Sequence, residues 1–424
     1  MKRLFVSILS YFWGIGVLLP LIFRLITGRY VRHYSGAYYV PDRYMTETTI
    51  IITVVIFASI LVIVMMPGGK RLRPTYKVGS WYYYLVLFSL IFGRIFTVGI
   101  SKNASSVVLN GGLNATLFAY LSMFLEPFTL LLIYLLGTER EINIWGMELL
   151  YISYLFICGS RAAALWVLVS LMCFFVSSSK YKEYKKQLIV MGIACVVVSP
   201  LIFVISTQNR NGLAGSNYVE IIDSIVNRCS KLEHGAIPLW EWNMGTYDKE
   251  LFYQKYGILN QFGFVFDSLI PGSVFTSDTS PNQYYRSCFL GLPEHLAQTR
   301  YNSDNMTLPI YFTVKYGYMA GIVFSIILIV FVYIICLRFK DYAISRVMGT
   351  VVLLELLDYF DWYMVVKRLV DGSLTIMMFW FVRKFIKTNV RLVTALKFRK
   401  YKCRRRSRIR DEEVWSDVSN IALR

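Results

Sequence analysis

Ionisable side chains inside apolar runs are the first candidates for chemistry. Hydrocarbon penalises each of them unless it is paired or wet. Arg94 and Glu126 fall in successive apolar runs, and Glu126 stands beside Pro127. Successive spans run in opposite directions, so the two can meet. They read either as a structural ion pair or as an arginine that faces an outward cavity and holds a phosphate. Glu355, Asp358 and Asp361 lie along a later run. The spacing of three puts Glu355 and Asp358 on one helix face. Two such carboxylates carry protons or cations in a transporter, or pair with Arg94, Arg161 or Lys367.

A second group of residues suits an anionic ligand at a membrane surface. Arg161 follows Cys158-Gly159-Ser160 in a tight turn between two runs. A guanidinium there forks two phosphate oxygens, and the next helix N-terminus adds free N–H groups. The bland alternative is an arginine that snorkels to the interface. The segment between residues 207 and 306 adds Arg210, Arg228, His234, Arg286, His295 and Arg300, then Asp304 and Asn305. A hydroxyl activated near these cations needs a base, and Asp304 or His295 fits that role.

The elements that must position these residues are long and oily. Of 424 residues 56% are hydrophobic and only 17% charged, against about a quarter charged in soluble domains. The excess gathers into about ten runs, each long enough to cross a bilayer as a helix. They lie near 4–23, 48–66, 81–100, 113–136, 142–158, 161–178, 188–206, 308–337, 345–366 and 370–386. The expected fold is all-α: a polytopic membrane helical bundle with one large external loop. Residues 1–206 hold the N-terminal helices, 207–306 the periplasmic or extracellular loop, 307–388 the C-terminal helices and 389–424 a basic tail.

The net charge of +19 fits this membrane frame better than nucleic acid. Lys70 to Lys77, Lys180 to Lys186, Arg338 to Arg346 and the tail face the cytoplasm if both termini are inside. Arg24, Arg29, Arg32 and Arg43 break that rule and suggest a basic patch outside. Within the loop, Ile221, Ile222, Ile225, Val226, Cys229 and Leu232 recur at helical spacing, which predicts a helix lying on the membrane surface. A second helix is expected over 248–270, with Trp240 and Trp242 at the interface between them. Cys229 and Cys288 share the loop and are candidates for a disulfide. Three histidines and no H-E-x-x-H argue against a metal site. No phosphate-loop or dinucleotide fingerprint occurs, so no cofactor is expected.

Three features together resemble the O-antigen polymerase (Wzy) family of oligosaccharide repeat unit polymerases, and their relatives the O-antigen ligases. They are the turn G-S-R-A-A-A-L at 159–165, the single large loop between late runs, and the loop exit D-N-M-T-L-P-I-Y-F-T-V-K-Y-G-Y-M-A-G at 304–321. The resemblance implies a fold like the GT-C glycosyltransferases and a metal-independent enzyme of the bacterial inner membrane. Its donor would be an undecaprenyl-diphosphate-linked oligosaccharide, transferred onto a second lipid-linked unit to build O-antigen or capsule. Arg161 would hold the diphosphate with Arg210 or Arg300, and Arg94, Arg286 and Asn305 would complete the anion site. Membrane lipids, a chain-length regulator and a flippase of the same pathway are the implied partners. Ligases carry a histidine near the position of Asp304, Asn305 and Met306; this chain has none there. That departure favours polymerase over ligase, and leaves Asp304 or His295 as base. The readings from other classes are a polysaccharide or ion transporter working through Glu126, Glu355, Asp358 and Asp361, and a membrane scaffold.

Overall fold

The computed structural model describes residues 1–27, 40–66, 81–97, 125–137, 143–158, 163–177, 184–194, 197–198, 200, 226, 229–269, 284–291, 293, 306–338, 342–358, 360–382 and 384–385. Among the described residues there is helix and no strand. The chain divides into two compact units, Met1–Thr375 and Ile376–Arg424. In the second, Lys384 Nζ lies 5.2 Å from the ring centroid of Trp380.

The helices of the first unit follow the apolar runs. They are α1 (Lys2–Thr27), α2 (Asp42–Met65), α3 (Trp81–Thr97), α4 (Pro127–Gly137), α5 (Ile144–Ile157) and α6 (Ala163–Ser177). After the long connection come α7 (Leu232–Met244), α8 (Lys249–Lys255), α9 (Ile258–Leu269) and α10 (Tyr285–Leu290). Then follow α11 (Leu308–Tyr316), α12 (Tyr318–Arg338), α13 (Tyr342–Asp358) and α14, whose part in this unit is 362–375. Among the described residues α1, α2 and α12 are long and apolar enough to cross a membrane.

Local chemistry sets several helix ends. Asn143 Oδ1 accepts from Gly146 N at 2.9 Å and caps α5. Asp248 Oδ1 accepts from Leu251 N at 2.9 Å and caps α8. Helix α1 widens to a π-helical turn over Gly14–Leu18. There the Gly16 carbonyl accepts the Lys231 N–H at 2.9 Å.

Four expectations are corrected. The run 308–337 is two helices, because Gly317 takes φ +86° and the chain turns there. Helix α11 packs along α12 so tightly that a Cβ on Gly321 would lie 2.5 Å from Thr313 backbone atoms. The run 345–366 breaks before Phe360 and Asp361, and Phe360 N donates to Met306 O at 2.8 Å. The helix expected over 248–270 is two, α8 and α9, separated at Tyr256 and Gly257. Cys229 and Cys288 line different pockets and are not bridged to each other.

Helix α7 departs most from expectation. It belongs to the segment expected outside the bundle, yet Leu232 to Leu239 are buried. Gly235 makes this approach possible: a Cβ there would meet Thr48 of α2 at 2.5 Å and Ile310 of α11 at 3.0 Å. Of the apolar set of the surface helix expected over 221–232, Val226, Cys229 and Leu232 are described, and all three are buried.

Candidate functional site

Lys231, at the entry to α7, meets a row of charges on α13 and α14. Lys231, just ahead of α7, is buried with only 4% of its side chain exposed. Its Nζ pairs with the Asp358 carboxylate at the end of α13. One turn earlier on α13, Glu355 Oε1 accepts from Arg368 Nε at 2.7 Å. Arg368 Nη1 then reaches Glu126 Oε1 at 3.4 Å. Lys367 and Asp371 pair beside it at 2.6 Å. The row therefore runs Lys231–Asp358, Glu355–Arg368–Glu126.

The helix ends explain why these carboxylates can sit among apolar helices. Glu126 is the residue before α4, and Pro127 opens that helix where its missing N–H is harmless. Its carboxylate accepts from the backbone N–H of Phe128, at 3.2 Å, and of Thr129. Its own N–H donates to Thr375 Oγ1 at 2.9 Å. Asp361 does the same for α14, its carboxylate accepting from Met364 N. Each acid thus meets helix N–H groups and the favourable end of the helix dipole. Gln261 ties the second break to α9: its Oε1 accepts from Tyr363 N at 3.0 Å.

Beside Lys231 and Asp358 lies a mostly apolar pocket, lined also by Tyr11, Gly16, Trp166 and Cys229. A second buried acid stands away from this row. Glu148 of α5 is fully buried and lies 2.6 Å from Ser170 Oγ of α6. Near the other end of α7, Tyr318 OH donates to Glu47 Oε2 at 2.7 Å and accepts from Asn243 Nδ2 at 2.9 Å.

The residues expected from sequence are placed as follows. Glu355 and Asp358 share the seam, and Glu126 joins it through Arg368. Glu126 pairs with Arg368 rather than with Arg94. The run boundary is the reason: Glu126 begins a helix rather than sitting within one. Arg94 is buried at 3% exposure in α3. Arg286 is half-buried in α10. His234, expected on an outer loop, is buried in α7, and its carbonyl accepts from Tyr285 OH at 3.0 Å. Arg24 and Arg43, read as a basic patch, pair with Asp42 at 3.0 Å and Glu47 at 2.7 Å. Arg29 and Arg32 lie outside the described residues. So do Arg161, Arg210, Arg228, His295, Arg300, Asp304 and Asn305.

Sequence reasoning missed Arg368, Lys231 and Glu148. Arg368 stands in the narrow gap between two apolar runs, where a cation reads as an interfacial anchor. Its partner Glu126 is 242 residues away, beyond any local pattern. Glu148 did carry a signal, an acid in the middle of an apolar run.

Set against known proteins, the chain matches no family model, no curated protein and no solved structure.

Proposed function

We propose that this chain is a bacterial inner-membrane polymerase of surface polysaccharide, with both termini cytoplasmic and about ten spans. It joins undecaprenyl-diphosphate-linked oligosaccharide units on the non-cytoplasmic face. The observation that carries this reading is α7: a helix from the long connecting segment, buried among apolar helices with Glu233, His234 and Glu241. Polar groups buried among apolar helices mark function more often than structure. A connection that only joins two spans has no need of them.

The chemistry asks for little covalent work. An acceptor hydroxyl attacks the anomeric carbon of the donor. The bond from that carbon to the diphosphate oxygen breaks, and the lipid diphosphate leaves with its electron pair. Arg161, helped by Arg210 or Arg300, holds the departing charge, with Arg94, Arg286 and Asn305 as further members of the anion site. Fixed cations stabilise charge as it develops. Asp304 or His295 takes the hydroxyl proton. Lipid anchoring orients both substrates at one surface.

A second reading is a polysaccharide or ion transporter. It draws on the helix break ahead of Phe360 and Asp361, next to Glu355 and Asp358. Broken helices with nearby carboxylates serve ion coupling in transporters. The same carboxylates are engaged by Arg368 and Lys231, which suits a structural role equally well.

Deletion of the gene in its host, followed by gel analysis of surface glycan, separates these readings. A polymerase leaves single repeats on lipid and no ladder. A ligase leaves polymer on carrier lipid and no surface glycan. Arg161→Ala and Asp304→Asn, with protein levels checked, test the assigned roles. Wild-type ladders from both variants would remove the site assignment.

A further inference from the structure

A pocket opens where the end of α7, the turn 245–248 and α10 come together. Its walls are fixed by the protein itself. Gly245 ends α7 in the left-handed region at φ +68°. Thr246 N donates to Glu241 O at 3.0 Å, and the Thr246 hydroxyl bonds the Glu241 carboxylate. Asp248 N donates to Cys288 O at 3.0 Å, which joins the turn to α10. Tyr247 stacks on Phe289 with centroids 5.8 Å apart and planes 16° apart. A site built in advance loses little freedom when it binds.

Its lining combines an indole, Trp240, with the carboxylates of Glu241 and Asp248 and the hydroxyls of Thr246 and Ser287. Ser287 adds a buried hydroxyl to the wall. The residue is only 7% exposed, it lines this pocket, and its Oγ has no hydrogen-bond partner. Other buried hydroxyls of the described residues, those of Thr48, Ser59 and Thr350 among them, share that state, so the lining as a whole and not Ser287 alone carries the argument. Among the described residues no lysine or arginine lines the pocket.

This set matches a pyranose ring. The C–H face of a sugar packs on an aromatic plane, and its hydroxyls donate to carboxylates and exchange hydrogen bonds with Ser and Thr. Two carboxylates without a cation repel a uronate and accept a neutral or amine-bearing ring. We propose that this pocket binds one ring of a neutral or amino-bearing glycan. The assignment deepens the polymerase reading and rests on it for one point, that the bound ring belongs to the acceptor chain.

The test uses the full-length chain in detergent, with saturation-transfer NMR and calorimetry. The probes are lactose, cellobiose, chitobiose, diglucosamine and digalacturonate. At least one neutral or amine-bearing disaccharide should bind, and digalacturonate should not. Trp240→Ala should weaken that binding at least tenfold. Ser287→Ala, a change of one buried oxygen, should weaken it severalfold without loss of the folded protein. Binding of digalacturonate alone, or no binding by any probe, overturns the proposal. So does binding that neither substitution changes. Gel analysis of surface glycan in cells separates the two claims. Sugar binding without any dependence of the ladder on this protein supports the pocket and sinks the polymerase. An intact requirement for the protein, with a pocket that binds no sugar, does the reverse.

Discussion

Arg368 lies between Glu355 and Glu126, with its Nε 2.7 Å from the first and its Nη1 3.4 Å from the second. One guanidinium thus joins the end of α13 to the start of α4. Its planar fork serves two acceptors at once, which an ammonium does less well. Removing one partner from a buried ion pair costs about 3–5 kcal/mol, because the other charge is left behind. Arg368→Ala should therefore lower the thermal midpoint of the detergent-solubilised protein sharply. Arg368→Lys should fall between. A melting curve for Arg368→Ala that overlays the wild type would show that the seam contributes nothing to stability.

The Gly317 turn yields a sharper steric prediction. A methyl on Gly321 has nowhere to go, since the nearest atoms are Thr313 N and Cα rather than a flexible side-chain end. Gly321→Ala should destabilise by about 1–3 kcal/mol, the range for overpacking. Gly192, in the helical stretch 184–194, is the control, because a Cβ there meets nothing within 4 Å. Gly192→Ala should be neutral or mildly stabilising, as expected of alanine in a helix. Equal melting shifts for both variants would contradict the close packing of α11 on α12.

How far these features were legible in the sequence depends on the range of their causes. Helices α1, α2, α3 and α5 follow their apolar runs, because a run of that length in helical form reports itself residue by residue. The break at Gly317 did not show. Glycine is common inside apolar helices, and only packing against Thr313 reveals the fold-back. Asp361 and Glu126 looked like carboxylates inside spans, yet both cap helices. Pro127 was the visible clue for Glu126, since proline favours a first helical turn. Helix α7 was hidden for another reason. Lys231, Glu233, His234 and Glu241 make its composition polar, so it reads as a surface segment. Its burial depends on α2 and α11, which supply Thr48 and Ile310 from distant parts of the chain.

Glu148 offers a spectroscopic prediction. Ser170 Oγ lies 2.7 Å from Val167 O and 2.6 Å from Glu148 Oε1. A hydroxyl has one proton, so it cannot donate to both. If the hydroxyl proton goes to Glu148 Oε1, the acid is a carboxylate; if it goes to Val167 O, the 2.6 Å contact requires a proton on Glu148, and the spectrum tests this second arrangement. An infrared difference spectrum between wild type and Glu148→Gln should show a protonated-carboxyl stretch that shifts in heavy water. Gln keeps a donor to Ser170, so the substitution should change stability by less than about 1 kcal/mol. Absence of that band would put the proton elsewhere.

The ion pairs themselves can decide between the two functional readings. In the polymerase reading, Glu355, Asp358 and Lys231 hold helices together and touch no substrate. In the transporter reading, Glu355 and Asp358 release and rebind cations or protons, so their charge is the working part. Replacing Lys231 with Gln together with Asp358 with Asn removes one positive and one negative charge at a single pair, so neither side chain leaves a buried charge behind. A polymerase should keep its ladder with this double substitution, provided membrane levels of the protein match the wild type. Asp358→Asn alone, which leaves the buried Lys231 ammonium without this carboxylate, should lower those levels more than the double variant does. A transporter should lose all function in the double variant while remaining folded. The comparison with Arg161→Ala completes the test: loss of the ladder there and retention in the double variant is the pattern that a cation-held diphosphate requires. The opposite pattern, a ladder that survives Arg161→Ala but not the neutralised pair, would move the chemistry from the outer surface to the seam.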